Sequence, residues 1–88
     1  MKIIHKVKLT IADGPIVVQI PKGAEILSIQ MQKGVPCIWY ICNIEEHEIE
    51  RRTFLCIGTG ESFYHSKMKY INTVQDGPYV WHFFERTQ

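Results

Sequence analysis

Lys2-Ile3-Ile4-His5-Lys6-Val7-Lys8-Leu9-Thr10-Ile11, followed by Asp13-Gly14-Pro15 and Ile16-Val17-Val18-Gln19-Ile20, is the stretch that decides the fold class. Ile3, His5, Val7, Leu9 and Ile11 fall on one side and Lys2, Ile4, Lys6, Lys8 and Thr10 on the other. That is the two-residue period of a half-buried strand. Asp13-Gly14-Pro15 supplies turn chemistry, so the β-branched run after it is expected to pair with the first strand as a hairpin. Pro21-Lys22-Gly23 then breaks the second strand.

The pattern continues along the chain. Residues 25–32 alternate Leu27, Ile29 and Met31 against Ser28, Gln30 and Gln32, Lys33-Gly34-Val35-Pro36 predicts a turn, and residues 37–43 supply the facing strand. That facing strand is apolar on both sides, which suits a central strand or one covered by a partner subunit. Residues 52–58 return to strand, and residues 70–75 and 79–85, joined by Asp76-Gly77-Pro78, predict a last hairpin rich in aromatics. The acidic run 45–50 reads as a solvated turn or one helical turn. Residues 62–68 read as a short helical turn that Ser62 could cap. About seven short strands with turn signals every 8 to 12 residues or so predict an all-β domain with minor α content, an antiparallel small sandwich or barrel.

The 88 residues hold one domain, 1–88, and one core. Such a core leaves stability marginal, which predicts a homo-oligomer that buries a second sheet face. Ten basic against nine acidic residues give a net charge of +1, too little for long-range steering onto nucleic acid or anionic lipid, so nucleic acid is disfavoured and any anion site must be local. Cys37, Cys42 and Cys56 sit in apolar runs, as reduced thiols of a reducing compartment do. The start of the chain lacks a signal peptide's apolar segment and no stretch approaches the roughly 20 residues of a membrane span, so the expected location is cytoplasmic.

Few groups carry chemistry. Gly58-Thr59-Gly60, after a strand, could present amides to a phosphate, although it lacks the Lys-Ser/Thr continuation of a P-loop and the third glycine of a dinucleotide fingerprint, and its ordinary reading is a plain turn. Arg51 and Arg52 point to opposite faces by alternation, and Arg52 is chosen as the companion cation. Trp39, Tyr70 and Trp81 are strand aromatics whose ordinary place is a core, and whose functional use is as a stacking face for a base. His82, between Trp81 and Phe83, reads as a hydrogen-bonded imidazole or as a donor to a phosphate or hydroxyl. His5, His47, His65 and His82 with the cysteines lack paired ligand spacing, so neither metal nor cofactor is expected. Cysteines in apolar surroundings make poor nucleophiles, so no enzyme is expected.

Residues 21–27 (PKGAEIL), 30–39 (QMQKGVPCIW), Arg52-Thr53-Phe54, Gly58-Thr59-Gly60 and the ending 80–85 (VWHFFE) together resemble a family of small uncharacterised phage and prophage proteins. The resemblance spans nearly the whole chain, with departures at 45–50 and 62–67. It implies a host-cytoplasmic protein and, by likeness to phage sponges, an oligomer that sequesters a small phosphate-bearing, nucleotide-derived immune signal. The ligand residues are then Trp39, Arg52, Gly58, Thr59, Gly60, Tyr70, Trp81 and His82. The alternative is a protein–protein interaction module that inhibits a host or phage protein through a sheet edge or apolar face.

Overall fold

The computed structural model describes residues 1–11 and 14–87. It contains seven strands: β1 (Lys2–Lys8), β2 (Ile16–Pro21), β3 (Glu25–Gln32), β4 (Val35–Asn43), β5 (Ile49–Gly58), β6 (Met68–Asp76) and β7 (Tyr79–Arg86). They form two antiparallel sheets, a three-stranded one in the order β1-β4-β3 and a four-stranded one in the order β2-β5-β7-β6. The all-β sandwich expected from the two-residue period is therefore what forms.

Two hairpins are where the sequence places them, β3–β4 around Lys33-Gly34 and β6–β7 around Gly77-Pro78. The first expected hairpin is not. β1 pairs with β4 and β2 pairs with β5, so the connection after β1 crosses between sheets instead of folding back; Asp13 of the expected turn lies outside the described residues. The reason is burial. Separating β1 from β2 lets Ile16, Val18 and Ile20 of β2 and Ile3 and Val7 of β1 enter the same core from opposite layers.

The second correction is the helical turn expected over residues 62–68, which is irregular. The segment lies over the outer face of the larger sheet, where Phe63 and His65 meet the Phe84 ring at centroid distances of 5.4 and 5.7 Å. Aromatic contact at such distances outweighs a single capping bond on a helix too short to sustain itself. Among the described residues there is no helix, and none is long and apolar enough to cross a membrane.

The core is contributed by both layers, with Phe54, Phe83, Ile20, Ile29 and Ile38 its most deeply buried side chains. The two sheets meet at a seam between edge strands β3 and β6, each carrying one register irregularity, between Ile26 and Ser28 and between Tyr70 and Asn72. Such irregularities bend edge strands and redirect side chains. Here the Asn72 amide bridges the layers: Ile29 N–H donates to Asn72 Oδ1 (2.9 Å), and Asn72 Nδ2 donates to Ile29 O (2.6 Å).

Candidate functional site

Register decides which side chains share a face. Val18 pairs with Arg52 and Ile16 with Phe54, so β5 turns Arg52, Phe54, Cys56 and Gly58 toward the core and Arg51, Thr53, Leu55 and Ile57 outward. The pairs Ile57–His82 and Leu55–Phe84 put His82 and Phe84 on that same outer face. Thr59, just past the end of β5, meets His82 there.

The 58–60 turn and His82 thus converge although 23 residues separate Thr59 from His82. Thr59 Oγ1 lies 2.8 Å from His82 Nε2, and Thr73 Oγ1 lies 2.9 Å from His82 Nδ1. Tyr70 Oη extends the chain to Thr73 Oγ1 at 2.6 Å. Hydroxyls donate or accept, so this relay serves either neutral tautomer of the imidazole and its cation alike. Sequence reasoning selected Thr59, Tyr70 and His82 but missed Thr73, whose only signal is its position on the strand beside β7.

Two clefts flank the turn. One, of about 310 Å³, is lined by the glycines, Thr59, His82, Phe63 and Phe84. The other, of about 480 Å³, is lined by Gly58, Thr59, Pro78, Tyr79 and Trp81. Glu61 borders both. Trp81 packs against the core and stacks on exposed Tyr79, with centroids 5.7 Å apart and planes 21° apart. The second cleft therefore offers a flat aromatic wall.

The turn does not present an empty amide cradle. Gly58 N–H donates to Glu61 Oε1 at 2.6 Å, Thr59 N–H to Val80 O at 3.3 Å, and Glu61 N–H to Gly58 O at 3.0 Å. A carboxylate already holds the amide that a phosphate oxygen would take. A Cβ on Gly58 would lie 2.6 Å from that carboxylate oxygen, which the flexible Glu61 side chain would have to withdraw, and 3.2 Å from the Trp81 ring.

Two expected site residues lie elsewhere. Arg52 is turned inward and held by four hydrogen bonds: it donates to both Glu85 oxygens, to Ala24 O at 2.9 Å and to Glu50 Oε1 at 3.3 Å. The Glu85 hydrogen bond, against opposing desolvation, pushes the guanidinium above its usual pKa. The face shared with Thr59 and His82 carries Arg51 instead. Alternation correctly allows one arginine per face, but which face is inward depends on pairing with β2. Trp39 lies on β4 in the other sheet, on its outer face across from Lys6.

Cys37 and Cys42 are buried and Cys56 is half-buried. Burial, with the nearby Glu61 charge second, pushes the Cys56 thiol up to about 11, and burial likewise raises the Tyr40 phenol. An acid whose folded pKa is raised loses its proton first in the unfolded state, so stability falls as pH rises from about 9 toward 11. The urea midpoint is expected to drop between pH 8.5 and 10.5, and Cys56→Ala to flatten part of that drop; a midpoint independent of pH over this range is the contrary result. Among the described residues no three His, Cys, Asp or Glu side chains gather as a metal site.

A family model described as a domain of unknown function (DUF7352) matches residues 1–88. No curated protein sequence and no solved structure matches the chain.

Proposed function

The chain belongs to this family of unknown function throughout its length, and we propose that it is a binding protein that sequesters a small phosphate-bearing nucleotide without transforming it. The observation that carries this reading is the joining of two clefts at one turn, with the Thr59–His82 pair on one side and the Tyr79–Trp81 stack on the other. A base stacks on the aromatic wall, sequence-tolerantly, since every base has a π-face. The sugar and phosphate pass over Thr59 and Gly60 to His82. The hydroxyl–imidazole relay supplies donors, and the phosphate takes the Gly58 amide by displacing the Glu61 carboxylate.

Exposed Phe63, which lines the first cleft, and its exposed chain neighbour Tyr64 support closure of that pocket by a second copy of the chain. Such a homo-oligomer acts as a sponge that lowers the free concentration of its guest. In a phage setting the guest is an immune signal, and holding it counteracts host defence.

Calorimetry and thermal melting with cyclic nucleotides and ADP-ribose derivatives test this. Ligand at about 100 times its Kd stabilises a binding-competent fold by about 2.7 kcal/mol. Glu61→Gln is expected to tighten binding several-fold by removing the competing charge, and His82→Ala to weaken it by tenfold or more. Absence of heat and of thermal stabilisation with every member of the panel removes the reading.

A further inference from the structure

The outer face of the β1-β4-β3 sheet lies in the other layer from the 58–60 turn and plays no part in the proposed nucleotide site. Its rows follow from the register. Lys6, Trp39 and Ser28 lie side by side, then Lys8, Cys37 and Gln30, then Val35 and Gln32 beside the Lys33-Gly34 tip. Cations occupy one edge, an aromatic-centred apolar strip the middle, and neutral hydrogen-bonding side chains the other edge. Lys6 donates to Gln32 across the strip, and a cleft of about 270 Å³ opens between Lys6, Lys8, Lys33, Gln32 and the central strand.

The net charge of +1 conceals how this face is charged. The three strands and the Lys33 tip hold four of the chain's ten basic residues, Lys2, Lys6, Lys8 and Lys33, and one of its nine acidic ones, Glu25. Glu25 lies at the Ile41 end, away from the lysine cleft. The remainder of the chain is net acidic. A sum near zero rules out a long-range field, but contact with a polyanion depends on the local cluster.

From this arrangement we infer that the outer face of the smaller sheet binds single-stranded nucleic acid. Lys6 and Lys8, alternate residues of one strand, stand about 7 Å apart along it, on the order of one nucleotide step of an extended single strand, so they track successive phosphates. Trp39, half-buried in the next strand, presents a ring for a base to stack upon. Gln30, Gln32 and Ser28 meet base edges. A duplex is a poorer fit, because a flat three-stranded face projects no helix or ribbon into a groove.

The Lys33 backbone adds a second observation. Lys33 and Gly34 both adopt left-handed φ, +51° and +77°, in a two-residue hairpin loop whose first position is best suited to Asn or Gly. A lysine holds a strained position where it lines the cleft with Lys6 and Lys8.

Fluorescence anisotropy with labelled ten-nucleotide single-stranded RNA and DNA, a duplex, and heparin or anionic vesicles as competitors tests this. Wild-type protein is expected to bind single strands at low salt and to prefer them to the duplex. Lys6→Gln with Lys8→Gln should weaken binding at least tenfold and reduce the slope of log affinity against log salt by about 1.4. Lys33→Asn should weaken binding while raising the melting temperature, a pairing of signs that general destabilisation does not produce. In a Trp81→Phe background, fluorescence from Trp39 should be quenched by the strand. The inference is overturned by no binding at about 50 mM salt, by equal affinity for duplex or vesicles, or by affinity unchanged in the lysine variants. It is independent of the nucleotide site, so His82→Ala leaves this binding intact.

Discussion

Replacing Arg52 by methionine is expected to lower stability by about 2 to 3 kcal/mol, or on the order of 10 to 20 °C in melting temperature for a domain of this size. The guanidinium and the Glu85 carboxylate are 19% and 13% exposed, and both Glu85 oxygens accept from it. Removing the cation leaves that carboxylate poorly solvated and without its partner, and it also strips a donor from Ala24 O. Glu50 belongs to the same network: it accepts from Arg52 and from the Gly23 amide at 3.1 Å. The group therefore ties the crossover from β2 to β3 onto the larger sheet. The figure stays below the ~3 to 5 kcal/mol of fully buried pairs because solvent reaches Glu50, whose side chain is 38% exposed. The double variant Arg52→Met, Glu85→Met should recover part of the loss, since no orphan charge remains. Urea denaturation of the three proteins measures the coupling. A single variant within about 0.5 kcal/mol of wild type would show that the network contributes nothing.

Arg52 also shows what was legible in the sequence. Local patterns placed all seven strands, through alternation in β1 and β3 and through β-branched, apolar or aromatic runs between turn signals in the others, because such patterns survive without knowledge of partners; β5 nevertheless starts at Ile49, inside the acidic run 45–50 expected as a turn. Hairpins joined by two-residue loops were legible for the same reason, as at Lys33-Gly34 and Gly77-Pro78. What a local pattern does not encode is which distant strand a segment joins. β1 lies beside β4, whose register partners run from Cys37 to Asn43, and nothing near Asp13-Gly14-Pro15 distinguishes a hairpin turn from a crossover between layers. The choice between Arg51 and Arg52 failed on that point.

The candidate site divides along the same line. Gly58, Thr59, Gly60 and His82 stood out as residue types, and the β5–β7 pairing brings them together. That Glu61 fills the Gly58 amide was not legible, because a carboxylate three residues past a glycine reads as an ordinary solvated side chain. The lysine face was hidden differently. Net charge averages over both layers, whereas sheet pairing sorts Lys6 and Lys8 onto a surface with Trp39 and away from the carboxylates of residues 45–50. Composition constrains what acts at long range, and topology constrains what acts at contact.

Asn72→Ala is the other substitution expected to have a large effect, about 2 to 4 kcal/mol, from the loss of one side chain that makes no apolar contribution of consequence. Ile29 is fully buried, and in the seam its N–H and C=O are both satisfied by the Asn72 amide. Alanine leaves two backbone groups without partners, at about 1 to 3 kcal/mol each when buried, with the lower end applying to a seam that water partly reaches. Asn72→Asp isolates the two bonds. Its carboxylate still accepts from the Ile29 N–H but turns a second anionic oxygen toward the Ile29 carbonyl, where a donor is required. The protonated acid restores that donor, so the native state favours the neutral form and raises this carboxyl's pKa above its unfolded value. The penalty of Asn72→Asp should accordingly be greatest near pH 7 and shrink as pH falls through that raised pKa, whereas the Asn72→Ala penalty stays constant with pH. Urea midpoints at pH 7 and about pH 4.5, each referred to wild type at the same pH, separate the two cases. Equal penalties for Asp at both pH values would mean that the seam is held by β3 and β6 apolar packing alone and that the amide bridge is incidental.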